Sequence, residues 1–179
     1  MFHGRRTNDM ARMTATFKIQ NAKGDLMWQG TLLNIHTAVE VRAPMDEHTS
    51  VRLIQGKGVE GDRYMTGRGK YSQLPDIREV TLIEQETLIA LQRDHGISLS
   101  PNEHRRNLTT SGVPLNHLVG KRFRVGDTVL LGGRLNTPCR YLDLVTEKAV
   151  FDLMHHRSGL NCSIVTGGMI SVGDIICLE

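Results

Sequence analysis

The sequence predicts a mainly β fold: a largely antiparallel barrel, closed or half-closed, with a few short helices. Two patterns carry this. Short apolar-rich runs at 122–125 and 128–131 flank Gly126-Asp127, and runs at 170–172 and 175–178 flank Gly173-Asp174. Each reads as a hairpin, and two hairpins in 179 residues favour a sheet that curls on itself. Further strand-like runs lie at 30–35, 51–54, 79–83 and 162–165.

Residues 1–15 carry Arg5, Arg6 and Arg12 against the single acid Asp9 and show no repeating apolar face, so they are set aside as a disordered tail. That leaves 16–179 as one domain, enough chain for one full core. From 17 to 41 the alternation is loose, with Gly24-Asp25 as a turn, and 44–47 reads as a loop. Residues 56–64 hold three glycines and cannot sustain a helix, yet they match neither a P-loop nor GxGxxG. Residues 65–77 are polar and glycine-bearing, a mobile loop. A helix is expected over 83–95, with Thr81 and Glu84 at capping-box spacing and Gly96 as its stop. One helical turn fits 114–119, and a second helix fits 147–155, with Val150, Phe151 and Met154 on one face.

Composition narrows the functional classes. Aromatic residues make up 4% of the chain, too few to build stacking platforms for single-stranded nucleic acid. No apolar run approaches the length of a membrane span. The net charge of +3 rests mainly on arginine, which suits either a small anionic ligand or a solvated basic surface. Three cysteines without a CxxC pair argue against a disulfide scaffold or zinc knuckle and fit a reducing, cytoplasmic setting. His104 and the pair His155-His156 lack partners at metal-binding spacing, so a structural role is expected for them.

The stretch from Arg134 to Arg140 holds the best candidate for chemistry. Thr137 can cap a helix that opens on Pro138, placing Cys139 in the first helical turn with Arg140 beside it. Free amides and a fixed cation both lower a thiol pKa, so Cys139 is either a working sulfur or a small buried hydrophobe. Cys162 and Cys177 sit in apolar strands and read as core. Arg105, Arg106 and Asn107 precede a short strand. Alternation there would turn one arginine to an anion and the other to a salt bridge; two solvated loop arginines are the other reading.

Five pieces occur in family order: GVEGDRY at 58–64, REVTLIEQETL at 78–88, RRNLTTSGVPLNHLVG at 105–120, PC at 138–139 and HRSGLNCSIVTGGMISVGDII at 156–176. On these the chain, from about residue 50 to 179, resembles the MOSC family, named for the C-terminal domain of molybdenum cofactor sulfurases. It departs at Arg157-Ser158-Gly159, where the family tends to have Arg-Gly-Gly. The resemblance implies a MOSC-type β-barrel with Cys139 as the functional sulfur. In larger relatives such as the mitochondrial amidoxime-reducing component, the matching cysteine ligates molybdenum. Basic residues like Arg105 and Arg106 help hold the phosphate-bearing pterin there.

Two sulfur mechanisms follow from the resemblance. In the leading one, Cys139 ligates molybdenum in a bound pterin cofactor, and the protein reduces N-hydroxylated compounds with electrons from an outside donor protein. In the other, Cys139 carries sulfane sulfur as a persulfide. The chain has no room for a pyridoxal-phosphate desulfurase domain, so that partner would be a separate protein. A non-catalytic barrel for an anionic metabolite is a third reading. Arg63, Arg105, Arg106, Asn107, Thr137 and Arg157 are the expected cofactor-binding residues. Glu60 and Asp62 are carried as pocket residues that could move a proton, and Arg140 as the partner of Cys139.

Overall fold

The computed structural model describes residues 19–20, 26–72 and 78–179. The expected tail, the Gly24-Asp25 turn and residues 73–77 of the expected loop lie outside the described residues. In chain order the strands are β1 (Ile19–Gln20), β2 (Leu26–Met27), β3 (Gln29–Thr37), β4 (Asp46–His48), β5 (Ser50–Ile54), β6 (Gly58–Val59) and β7 (Val80–Glu84). They continue as β8 (Leu108–Ser111), β9 (Arg122–Val125), β10 (Thr128–Leu135), β11 (Leu160–Thr166), β12 (Gly168–Ser171) and β13 (Ile175–Leu178). Two helices, α1 (Gln85–His95) and α2 (Arg140–Thr146), and two 3-10 turns, Leu115–Leu118 and Asp152–Met154, complete the elements.

Seven strands close a ring in the order β3, β8, β7, β11, β10, β9, β13 and back to β3. Every pairing in the ring is antiparallel except β7 with β8, which α1 joins as a crossover. The fold is therefore a closed mixed β-barrel, mostly antiparallel. Its interior is apolar, with Leu32, Ile35, Leu82, Leu108, Phe123, Leu130 and Ile176 fully buried. A second cluster packs α1 (Leu88, Leu91) against α2 (Leu142) with Val150 and Met154, and so anchors α2 to the outside of the barrel.

The hairpin at Gly126-Asp127 forms as expected, β9 pairing with β10. The second expected hairpin does not. β12 pairs with β5 in a separate three-stranded sheet, while β13 pairs with β3 and β9. Gly173-Asp174 instead moves the chain from one sheet to the other, clamped by the Gly173 amide to Leu32 O (2.8 Å) and the Leu32 amide to Asp174 O (2.9 Å). Residues 46–48 are strand, not loop. Cys162 is fully buried, but Cys177 is only half-buried.

The helices also differ from expectation. α1 starts at Gln85 and its N-cap Glu84 makes no side-chain cap, because Glu84 accepts the Leu115 amide (2.8 Å) and Thr81 turns to Asn107. Gly96 ends it in the left-handed conformation, as expected. The expected helix at 147–155 shrinks to the 3-10 turn. Glu147 at φ 55° ends α2, and Asp143 Oδ1 accepts the Val150 and Phe151 amides (2.9 and 2.8 Å), holding a tighter turn there.

Gly159 sits at φ 102°, and a Cβ there would run into the Leu82 carbonyl oxygen of the neighbouring strand. Gly159→Ala should lower unfolding stability by about 3 kcal/mol. Urea denaturation followed by circular dichroism checks this.

Candidate functional site

β10 reaches Leu135, and its end is tied to β11: the Asn136 amide donates to Gly159 O (2.8 Å) and Asn136 Nδ2 to Asn161 Oδ1 (2.6 Å). This tether keeps the chain extended past Pro138. Cys139 (φ −139°, ψ 134°) is therefore the N-cap of α2 and not a first-turn residue, and Thr137 does not cap the helix. A register shift in β10 between Gly132 and Arg134 re-aims the strand end, bringing Arg134 to the same hollow.

Cys139 lines a cavity of about 320 Å³. Among the described residues six cations line it: Arg63, Lys70, Arg78, Arg105, Arg106 and Arg134, with no carboxylate among the lining residues. The chain's three tyrosines, Tyr64, Tyr71 and Tyr141, line it as well. Each tyrosine has a cation over its ring: Arg63 on Tyr64 (5.1 Å), Arg78 on Tyr71 (4.7 Å), and Lys70 on both Tyr71 (5.3 Å) and Tyr141 (5.7 Å).

The thiol of Cys139 is half-exposed, and the Tyr71 hydroxyl lies 3.6 Å from its Sγ. Burial pushes the thiol pKa up, but the Tyr141 amide, the Tyr71 hydroxyl and the charges of Lys70 and Arg106 outweigh it, so the net shift is downward. Cys162 shows the contrast: full burial pushes its thiol pKa well up, away from use as a thiolate.

Arg105 and Arg106 face the same cavity, not opposite sides of a strand. β8 begins only at Leu108, and Arg105 at φ 64° turns the backbone so that neighbours no longer alternate. Arg105 donates from Nη1 to Ala43 O (2.6 Å), while its Nε and Nη2 are buried with no hydrogen-bond partner among the described residues. Arg106 donates from Nε to Ser158 O (3.0 Å) and from Nη2 to Ser158 Oγ (2.8 Å). The serine at the family's Arg-Gly-Gly turn thus grips a cavity arginine. Asn107 joins the layers: its Oδ1 accepts the Thr81 amide and hydroxyl, and its Nδ2 donates to His36 O and Asp62 Oδ2.

Behind this wall His104 is fully buried. Its Nδ1 accepts the Arg106 amide (3.0 Å), which leaves Nε2 as the donor to Thr109 Oγ1 (2.9 Å). Burial, then the Arg106 charge, holds its pKa well below the ordinary histidine value. Folded His104 stays neutral where the unfolded chain takes up a proton. Stability is therefore full above the ordinary range near 6.5 and falls as pH drops below it, by about 1.4 kcal/mol per pH unit, until the folded pKa is reached. Urea midpoints from about pH 7.5 to about pH 5 should show this slope. His104→Gln should reduce it without abolishing it, because burial lowers His36 too.

Other candidates stand elsewhere. Asp62 is buried just outside the cavity and accepts the Ala38 and Tyr64 amides (3.2 and 2.9 Å), so its carboxylate is committed to holding backbone. Glu60 is exposed and does not line the cavity. Arg140 does not line it either; its guanidinium lies over Phe151 (4.6 Å), and Lys70 and Arg106 supply the charge that acts on Cys139. Arg157 points into its own turn, donating to Leu153 O (2.7 Å). Thr137 lines the cavity beside Cys139. Sequence reasoning missed Lys70, Tyr71, Arg78 and Tyr141. For Lys70 and Tyr71 the one signal is a tyrosine beside a lysine in the aperiodic stretch 65–77; Arg78 and Tyr141, which belongs to α2, lie outside it.

Residues 70–177 match the MOSC domain family. The chain belongs to the MOSC domain family. The match spans β7 to β13 and takes in Lys70, Tyr71 and Cys139, while the 58–64 piece precedes it. Comparison with curated proteins gives no match. Among solved structures, the YUAD protein from Bacillus subtilis is 17% identical with a TM-score of 0.71, covering 86% of this chain and 100% of that one. YiiM from Escherichia coli is 17% identical with a TM-score of 0.62, covering 87% of this MOSC chain and 70% of that one. YiiM from Geobacillus stearothermophilus is 14% identical with a TM-score of 0.58, over 84% and 73%. At these identities the likeness shows a shared fold. Among the described residues, no helix is long and apolar enough to cross a membrane.

Proposed function

We propose that this MOSC protein holds the molybdenum cofactor through Cys139 and reduces N-hydroxylated compounds, with electrons from a separate donor protein. One observation carries the reading: a thiol with lowered pKa stands in a cavity whose described lining has six cations and no carboxylate.

The residues fit the group. A thiolate is a soft donor suited to molybdenum. The buried Arg105 Nε and Nη2 lack hydrogen-bond acceptors among the described residues, and a phosphate would supply them. The three tyrosine rings suit a flat heterocycle. Arg63, Arg105 and Arg106 would hold the phosphate, Asn107 would keep that wall in register, and Asn136 and Thr137 would set the turn that presents the sulfur. When bound, the cofactor supplies two-electron chemistry at its metal. Asp62 acts at a distance by fixing Asn107 and Arg63. Glu60, Arg140 and Arg157 have no contact role in this reading.

Elemental and pterin analysis of protein from a molybdenum-replete host should find stoichiometric molybdenum with pterin. Absence of both, with a gain of one sulfur on Cys139 after incubation with a cysteine desulfurase, would replace this reading by sulfur carriage. Absence of both without labelling would leave a barrel for an anionic metabolite.

A further inference from the structure

We propose that the side edge of Arg105 grips the oxyanion in this cavity, and that Ser158 makes it so by occupying the same edge of Arg106. The inference deepens the cofactor reading: it rests on an oxyanion sitting in the cavity, and not on molybdenum.

A guanidinium carries two parallel N–H groups on its side edge, Nε and Nη2, spaced to meet two oxygens of one acid group. Arg105 and Arg106 are neighbours in sequence and line the same cavity, yet the protein holds them by different edges. Arg105 is tied at Nη1, which donates to Ala43 O (2.6 Å). Its Nε and Nη2 are buried and have no hydrogen-bond partner among the described residues. Arg106 is the reverse case. Its Nε donates to Ser158 O (3.0 Å) and its Nη2 to Ser158 Oγ (2.8 Å), so its side edge is filled by protein.

The acceptor pair that fills it is rigid. Ser158 is 1% exposed, and the residue after it, Gly159, is fixed through its carbonyl by the Asn136 amide (2.8 Å). Arg63 is already paired with Asp62 (3.7 Å). Unpaired buried donors carry a penalty that an arriving oxyanion removes, whereas a filled edge has nothing more to gain. Arg106 therefore acts on the anion mainly through its charge, and Arg105 through two directed hydrogen bonds.

The test uses the full chain from a host that makes no pterin, with inorganic phosphate as the probe. In isotope-labelled protein the Arg105 Nε–H resonance should move as phosphate is added, while the Arg106 Nε–H resonance stays in place. Calorimetry on charge-keeping variants gives the energetic side. Arg105→Lys should weaken phosphate binding at least about tenfold, because lysine is a point charge without a parallel N–H pair. Arg106→Lys should weaken it by about threefold or less. Ser158→Ala frees Nη2 of Arg106, which can then share the grip, so in that background Arg105→Lys should cost only about threefold. A serine that only fills space would leave the Arg105→Lys loss unchanged, and that result overturns its assigned part. Movement of the Arg106 resonance alone, or an Arg106→Lys loss as large as that of Arg105→Lys, overturns the inference as a whole. The resonances are read on the parent chain, so a variant that fails to fold does not spoil the test. Molybdenum and pterin content decide the cofactor reading and phosphate binding decides this one, so the two can fail separately.

Discussion

Cys139→Ser protein from a molybdenum-replete host should carry little or no molybdenum and reduce N-hydroxylated substrates at least about 100-fold more slowly than the parent. Losing groups that merely support a metal ligand costs roughly 10- to 100-fold, so losing the ligand itself should exceed that. A serine hydroxyl is nearly isosteric but hard and protonated at neutral pH, and it can neither ligate softly nor carry sulfur. The fold should tolerate the change, because Cys139 is half-exposed and the helix it caps is anchored by Leu142, not by the sulfur. Serine is also a good N-cap. Elemental analysis, steady-state turnover and a thermal melt on one preparation separate these effects. A Cys139→Ser protein with normal metal content and turnover would remove the sulfur from the mechanism.

Arg106→Met should weaken binding of the phosphate-bearing ligand at least about tenfold while leaving the stability of the ligand-free protein within about 1 kcal/mol of the parent. The two costs oppose each other. Removing the guanidinium leaves Ser158 O and Oγ without their donor, a loss of about 1–3 kcal/mol. It also relieves a half-buried cation crowded by Arg78 and Arg63, whose pKa burial brings down to about 10. A comparable amount is regained, because among the described residues no carboxylate forms an ion pair with this guanidinium. Denaturant midpoints give the stability. Calorimetric titration with a phosphate-bearing pterin gives the affinity, which should also fall as salt is raised. An unchanged affinity would move the phosphate to another part of the cavity.

Part of this architecture is written locally in the chain. Gly126-Asp127 between two apolar runs specifies β9–β10, because a tight turn admits one partner. Gly173-Asp174 looks identical in sequence yet joins strands of different sheets. A turn dipeptide states that the chain reverses, not which strand waits beside it. The Thr-Pro-Cys turn and its sulfur were visible, but the start of α2 was misplaced by the tether between Asn136 and β11, a contact 25 residues apart in sequence. Arg140, adjacent in sequence to Cys139, is not the charge that acts on the sulfur. Lys70 and Arg106 are, and chain topology alone brings them there. Aromatics are scarce along the chain, yet all three tyrosines converge on one hollow. Composition counts residues without locating them.

The ring of strands is sealed by β13, which bonds β3 on one side and β9 on the other. During synthesis, every other staple of the barrel emerges first. Until Ile175–Leu178 has cleared the ribosome, β3 and β9 are two open borders of a rolled sheet, with unpaired amides and carbonyls of the kind that recruit foreign strands. Sealing thus waits until every other strand of the ring has been made. The walls that carry Arg134 and Cys139 acquire their final curvature only when the last staple snaps shut.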